Sequence, residues 1–388
     1  MGFNASNTLR LRIARYWSLI HRNYTVLGIE TSCDDTCAAI LDSEKGILAS
    51  RRDQNWVSQQ NIGGISPFLA AQNHRRLIDR QVDEVLSGAK LRYQDLDGVA
   101  VSSEPGLVIC LKVGVDKALA ICRDNQIPFI PVHHMKAHAL SARYAHREID
   151  FPFVTLLISG GHSIIALAKD VDNFQVLGTS RASSPGETID KVARTMGLYA
   201  KPHYGVQVES LASSSNAIMK YVTVMPSVCG ADMDFASLRE RFLHALRTIN
   251  DININDFCCN LQHLVTAHLC QRLDVALAFV NHEHLCESSQ KSLVIAGGVA
   301  ANKYIRRCVD NVASHWGFKT YVPINQMVTD NAEMIAWTGI ELKTRSSKII
   351  CPSELPLSFH VEAKSPLGED ISDKSQFAQS PIHFYTGK

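Results

Sequence analysis

The sequence predicts an α/β protein built from two related lobes, and three observations predict it. A buried strand followed by a small polar turn occurs at Ile29, again at Ile158 and again at Ile295. These modules fall in both halves of the chain, which at 388 residues is long enough for two separate cores. Each turn sets hydroxyls or paired glycines where bare backbone amides can approach a phosphate. A single such turn is explained equally well as an ordinary hairpin, so repetition carries the reading. Strand-turn lobes of this kind suggest a nucleotide bound in a cleft.

Composition narrows the class. Hydrophobic residues make up 46% and charged residues 20%, the proportions of a soluble globular protein. A net charge of +1 excludes a strongly polybasic binder and leaves nucleic-acid contact to local clusters such as Arg51-Arg52, Arg75-Arg76 and Arg306-Arg307. The 11 cysteines are odd in number, include the adjacent Cys258-Cys259, and form no C-x-x-C pair. They read as reduced thiols, and a zinc finger is not supported. Residues 1–24 carry Arg10, Arg12, Arg15 and Arg22 without an acid, the first carboxyl being that of Glu30. That composition predicts a mitochondrial transit peptide. No stretch is apolar for long enough to span a bilayer. The P-loop, dinucleotide-fold and H-E-x-x-H signatures are all absent.

Taken in order, residues 26–29 start a buried strand that runs into Glu30-Thr31-Ser32-Cys33-Asp34-Asp35-Thr36, and residues 37–41 return as a second strand. Asp34 and Asp35 could hold a cation or accept a proton, although a hairpin also uses such residues as turn formers. Residues 68–86 read as a helix, 96–101 as a strand and 108–123 as a helix with one apolar side. A buried strand at 127–130 then leads into a helix opened by residues 131–140. On it His134 and His138 lie one turn apart on one face, where two imidazoles can share a divalent cation. His133 on the same helix points about 100° away. Surface histidines show the same spacing, and a metal needs a third ligand; residues 328–333 are the candidate stretch. Their distance in sequence predicts that the edges of two lobes meet at one metal.

In the second half, residues 153–158 read as a strand that ends at Ser159-Gly160-Gly161-His162-Ser163, with 164–167 returning. Residues 184–191 start a helix with Pro and Glu where a first turn prefers them. Residues 213–287 are helix-rich, and 293–302 repeat the theme of strand, paired glycines and helix. Beyond Ile349 the pattern fades, so 351–388 is expected to be mostly extended or disordered, with Pro366-Leu367-Gly368 a docking turn.

Residues 28–36, Pro105-Gly106-Leu107, residues 134–138, Ser159-Gly160-Gly161-His162, residues 186–191, residues 296–302 and Thr329-Asp330-Asn331 occur in one order. Together they resemble the tRNA N6-adenosine threonylcarbamoyltransferase family, formerly named O-sialoglycoprotein endopeptidases. The similarity covers residues 25 to 345 and, with the arginine-bearing leader, is greatest to the mitochondrial branch. The resemblance implies a two-lobed actin-like ATPase fold, with lobes at 25–150 and 151–325, a segment at 326–350 returning to the first lobe, and a tail at 351–388. It also implies transfer of a threonylcarbamoyl group from threonylcarbamoyl-AMP to N6 of adenosine 37 in tRNAs reading ANN codons. His134, His138 and Asp330 become ligands of one divalent ion per subunit: zinc, iron, manganese or magnesium. Donor contacts fall on Ile158, Ser159, Gly160, Gly161, His162, Asp190, Gly205, Gly297, Gly298 and Asn302. Asp34 and Asp35 match the acidic pair near the reaction centre, where Asp35 is shorter than the family's usual Glu. A homodimer without membrane attachment is implied as the working form. The chain departs from the family at Glu104-Pro105-Gly106 and at His203-Tyr204-Gly205-Val206, which bears on nucleotide affinity more than on reaction type. A metallopeptidase and a non-catalytic ATP-binding scaffold are the alternatives.

Overall fold

The computed structural model describes residues 23–54, 65–180, 182–199, 203–286, 291–345 and 348–377. The leader, apart from its last two residues, lies outside these, as do residues 55–64. The chain divides into two compact units, one of residues 1–140 with 330–365 and one of 141–329 with 366–388. The sequence suggested changes of lobe at 150 and 325.

In the first unit, strand β1 (Thr25–Glu30) pairs antiparallel with β2 (Thr36–Asp42), and β2 pairs with β3 (Gly46–Asp53). Helix α1 (Pro67–Ala89) follows, then β4 (Gly98–Glu104), helix α2 (Val108–Asn125) and β5 (Phe129–His133). Strands β4 and β5 run parallel to β1, giving the order β3-β2-β1-β4-β5. Leu27, Ile29, Val99, Val101 and Phe129 are buried in its core, as a sheet with parallel strands and helical cover requires. The short helix α3 (His134–Leu140) begins directly where β5 stops.

The second unit repeats this plan. Strands β6 (Phe153–Ile158), β7 (Ser163–Asp170) and β8 (Asn173–Thr179) form an antiparallel meander. Helices α4 (Pro185–Thr195), α5 (Tyr204–Ala212), α6 (Phe235–Thr248) and α7 (Ile254–His282) come next. Ser184, Asp234 and Asn253 cap α4, α6 and α7 by accepting backbone amides with their side chains. Strand β9 (Ser292–Ala296) adds parallel to β6; helix α8 (Lys303–His315) and β10 (Lys319–Tyr321), parallel to β9, follow. The order β10-β9-β6-β7-β8 has the connectivity of the first sheet.

The chain then returns to the first unit with helix α9 (Ala332–Arg345), capped by the buried Asn331, whose Oδ1 accepts the Met334 amide at 2.7 Å. Two glycines let α9 settle on the sheet. A Cβ at Gly28 would lie 2.2 Å from the Ala332 carbonyl oxygen, and one at Gly339 would lie 2.6 Å from Ala100 Cβ. Trp337 Nε1 donates to the Leu140 carbonyl at 3.2 Å, tying α9 to the end of α3. The described part of the tail, 351–377, packs more closely than its sequence suggested, and the turn at 366–368 docks as expected. Leu367 and Ile371 are buried, a Cβ at Gly368 would strike the Phe174 carbonyl, and β11 (Glu369–Asp370) pairs with β8. All 11 cysteines are free thiols. Among the described residues no helix is long and apolar enough to cross a membrane.

Candidate functional site

The start of α3 carries the first half of the site. His134 is its first residue and His138 stands one turn later, so both rings project to the same side. Their centroids are 4.7 Å apart and their planes cross at 87°. His133, expected on the same helix, is instead the last residue of β5. Its buried Nδ1 accepts the Lys136 amide at 3.4 Å, so it helps to end the strand and open the helix.

The residue before the α9 cap supplies the other half. Asp330 Oδ1 lies 3.1 Å from His138 Nε2 and 3.5 Å from His134 Nε2. One ligand atom from each of the three residues falls within 4.8 Å of the others, in the one such group among the described residues. Two imidazole nitrogens and a carboxylate oxygen aimed at one point fit a divalent cation and leave coordination positions open. All three residues belong to the first unit. That corrects the reading, made from distance in sequence, that the edges of two lobes meet at the metal: Asp330 lies in the first unit, within the segment at 326–350 that the resemblance has returning to the first lobe.

Burial works against charge on His134, but Glu30 and Asp330 outweigh it and hold the imidazole well above its usual range. Burial also opposes charge on Asp330, and His134 and His138 hold its carboxyl well below the usual carboxylate range. A cation entering this set takes the place of a proton.

The turn after β1 lies in the same unit. Asp35 Oδ2 accepts two bonds from Arg52 of β3, from Nη2 at 2.6 Å and Nε at 3.1 Å. Burial nevertheless pushes Asp35 up to about 7, against Arg52 and with added repulsion from Asp34 and Asp330. A carboxyl that titrates near neutrality is suited to accepting a proton. Asp34 is half-buried beside it. The turn is pinned by His74 of α1, whose Nε2 is 3.0 Å from the Cys33 carbonyl and whose Nδ1 is 2.8 Å from Thr36 Oγ1. A carbonyl only accepts, so Nε2 carries the proton and Nδ1 takes the Thr36 hydroxyl's. Glu30 and His74 received no role from the sequence, and Arg52, offered there only as part of a basic cluster for nucleic acid, is bonded to Asp35 instead. Glu30 alone left a signal there, as an acid closing an apolar strand.

The second unit holds the glycine turns. After Ile158, the Gly161 and His162 amides donate to Ser159 Oγ at 3.2 and 3.0 Å, and Ser184 Oγ donates to the Gly160 carbonyl at 2.7 Å. A Cβ at Gly160, Gly161 or Gly205 would meet nothing within 4 Å, so the packing of the chain itself does not require these glycines. Gly297 is different: its φ is +95°, and a Cβ would lie 2.4 Å from the Ile158 carbonyl oxygen. Gly298 opens the 3-10 turn that follows. Asn302 is the α8 cap, accepting the Ile305 amide at 3.0 Å and donating to Gln262 Oε1 at 2.8 Å. Both ends of that amide therefore have a structural task.

Asp190 lies on α4, where burial pushes it up to about 6 despite Arg194. Its contribution to stability is complete below the ordinary value of 3.8 and is lost as pH rises through about 6. Asp190→Asn is therefore expected to gain on the order of 2–3 kcal/mol relative to the native protein at pH 8 compared with pH 4. Urea unfolding of both proteins at the two pH values measures the gain. Equal differences at both would show that Asp190 titrates normally.

Residues 46–337 match the tRNA N6-adenosine threonylcarbamoyltransferase family. A Caenorhabditis elegans protein named probable tRNA N6-adenosine threonylcarbamoyltransferase, mitochondrial, is 39% identical over 368 residues, spanning 91% of this chain and 87% of the relative. The Danio rerio mitochondrial enzyme of that name is 36% identical over 365 residues, 90% of this chain and 89% of the relative. The human one is 35% identical over 365 residues, 89% and 87% of the two chains. Among solved structures, HypF of T. kodakarensis aligns with a TM-score of 0.56 at 13% identity, covering 84% of this chain and 48% of that one. At that identity the likeness shows the fold alone, which is the actin-like ATPase fold. Nothing in these comparisons favours a peptidase or a scaffold.

Proposed function

The chain belongs to the tRNA N6-adenosine threonylcarbamoyltransferase family and is a mitochondrial transferase acting on tRNA, and from that premise we propose how its residues serve the reaction. The donor is threonylcarbamoyl-AMP and the acceptor is N6 of adenosine 37 in tRNAs that read ANN codons. The observation that carries the reading is the convergence of His134, His138 and Asp330 on one point. These three hold one divalent ion, whether zinc, iron, manganese or magnesium. When bound, that ion supplies Lewis-acid polarisation and charge stabilisation to donor oxygens.

The rest falls to the chain. A mixed carboxylic-phosphoric anhydride already has a good leaving group, so positioning and electrostatics are the main needs. In the second unit, Ile158 to His162, Gly205, Gly297 and Gly298 offer backbone to the adenylate, and Asp190 and Asn302 supply the remaining donor contacts. The open space at Gly160, Gly161 and Gly205 supports that role. In the first unit, Asp35 accepts the proton that the adenine amine loses, held in place by Arg52, with Asp34 beside it.

The working form is a homodimer. Ile65, Phe68 and Leu69 at the start of α1 and Val108 and Ile109 at the start of α2 are exposed, although α1 and α2 pack together. A second copy offers the same apolar ends, so a two-fold contact covers both. The test is incubation of purified protein with threonylcarbamoyl-AMP and unmodified tRNA, followed by nucleoside analysis, with mass by light scattering on the same preparation. Threonylcarbamoyladenosine from a dimer is expected. Unmodified tRNA would overturn the reaction, and a monomeric mass the assembly.

A further inference from the structure

We propose that Glu30 is a positioning residue: it keeps the proton of His134 on Nδ1 and so turns the Nε2 lone pair toward the cation. The inference rests on the metal-centre reading above and adds a residue that the ligand set does not include.

Glu30 closes β1 and is 1% exposed. An acid so thoroughly removed from water is costly unless its oxygens have partners. Both do. Oε1 accepts the Ser32 amide at 2.5 Å, and Oε2 stands 3.0 Å from His134 Nδ1. Among the described residues, His134 is the only basic side chain bonded to it. Ser32 Oγ lies 3.2 Å from the same Nδ1, so two oxygens crowd one face of the ring. The opposite nitrogen, Nε2, is the one that faces Asp330.

Connectivity makes the arrangement specific. Glu30 ends β1 and His134 follows β5, and β4 lies between those strands in the sheet. The contact therefore spans a neighbouring strand, and it sets the angle at which the ring leaves the start of α3. A histidine whose second nitrogen is held by a carboxylate has one tautomer and one orientation. Loss of such a partner typically weakens metal binding by about 10- to 100-fold. A purely structural residue would do no more than brace the turn through the Ser32 amide.

Glu30→Gln separates the two. The amide oxygen can still accept from Ser32, but the NH2 group facing Nδ1 is a donor and favours a proton on Nε2, where it blocks the ligand position. Cobalt(II) affinity is measured by chelator competition, with thermal unfolding of both chelator-treated proteins. Independently, 15N-histidine spectra of the zinc-loaded native protein report which ring nitrogen of His134 carries hydrogen. The expected result is an Nδ1–H on His134 in the native protein, and in the variant an affinity lower by 10- to 100-fold with unfolding little changed. Equal cobalt affinity in the two proteins overturns the inference while leaving the metal centre standing. Zinc bound through Nδ1 of His134 in the native protein overturns it even if the variant fails to fold. Native protein that takes up neither ion overturns the metal centre, and the role of Glu30 with it.

Discussion

Alanine at His134, His138 or Asp330 is expected to abolish stoichiometric metal binding and to lower threonylcarbamoyl transfer by about 10^3-fold or more while the fold persists. Each residue is one of only three protein ligands, and two donors hold a divalent cation poorly. The three belong to the compact first unit, with both histidines buried. Their neighbours are held by other bonds: Asn331 caps α9 and Trp337 anchors α3 without them. Asp330→Asn is the sharper variant. It keeps the shape but not the charge, so residual transfer should require more added metal. His133→Ala should retain the ion and cost only stability, since His133 is a strand residue bonded to the Lys136 amide. Metal content by mass spectrometry and single-turnover transfer, with circular dichroism for folding, test the set. Metal lost from His133→Ala but kept by His134→Ala would assign the ligands wrongly.

Gly28→Ala is expected to have the next largest effect, although the substitution adds only a single methyl. Its Cβ would sit 2.2 Å from the Ala332 carbonyl oxygen and 2.7 Å from the Ala336 amide nitrogen. Both obstacles are backbone, so the helix must move rather than a side chain turn. Overpacking of this kind costs about 1–3 kcal/mol and sometimes more. Ala332 begins α9 two residues after Asp330, so the displacement also shifts the third ligand. Lower melting temperature together with weaker metal affinity is therefore expected. Gly160→Ala and Gly161→Ala provide the contrast. Their Cβ atoms would meet nothing within 4 Å, so melting should stay unchanged while transfer falls if the adenylate occupies that space. A Gly28→Ala protein that melts normally and binds metal as tightly as the native one would refute the close packing of α9 on β1.

What the residues alone determined is mostly local. Strand β6 runs from Phe153 to Ile158 as expected, because an unbroken apolar run meets two glycines and has no other way to continue. His134 and His138 share a side because helical spacing puts them there. Strands β3 and β8 left little trace: Gly46–Asp53 is only partly buried and carries Arg51 and Arg52. Such edge-side segments are chosen by their partners in the sheet more than by their own composition. The tail is similar, since the burial of Leu367 and the fit of Gly368 against Phe174 depend on a surface made elsewhere in the chain.

The site itself divides along the same line. Motif order named Asp330 through resemblance, but only the return of α9 to the first unit brings its carboxylate within 3.1 Å of His138 Nε2 and places all three ligands in one body. The tertiary structure likewise decided that Glu30 faces His134 across a strand, that Arg52 holds Asp35, and that His133 ends β5 instead of riding on α3. Periodicity and turn chemistry act over a few residues, so a sequence displays them directly. Contacts across 104 residues, as from Glu30 to His134, or 192, as from His138 to Asp330, exist only once strands have chosen neighbours and a helix has found the glycine that lets it approach.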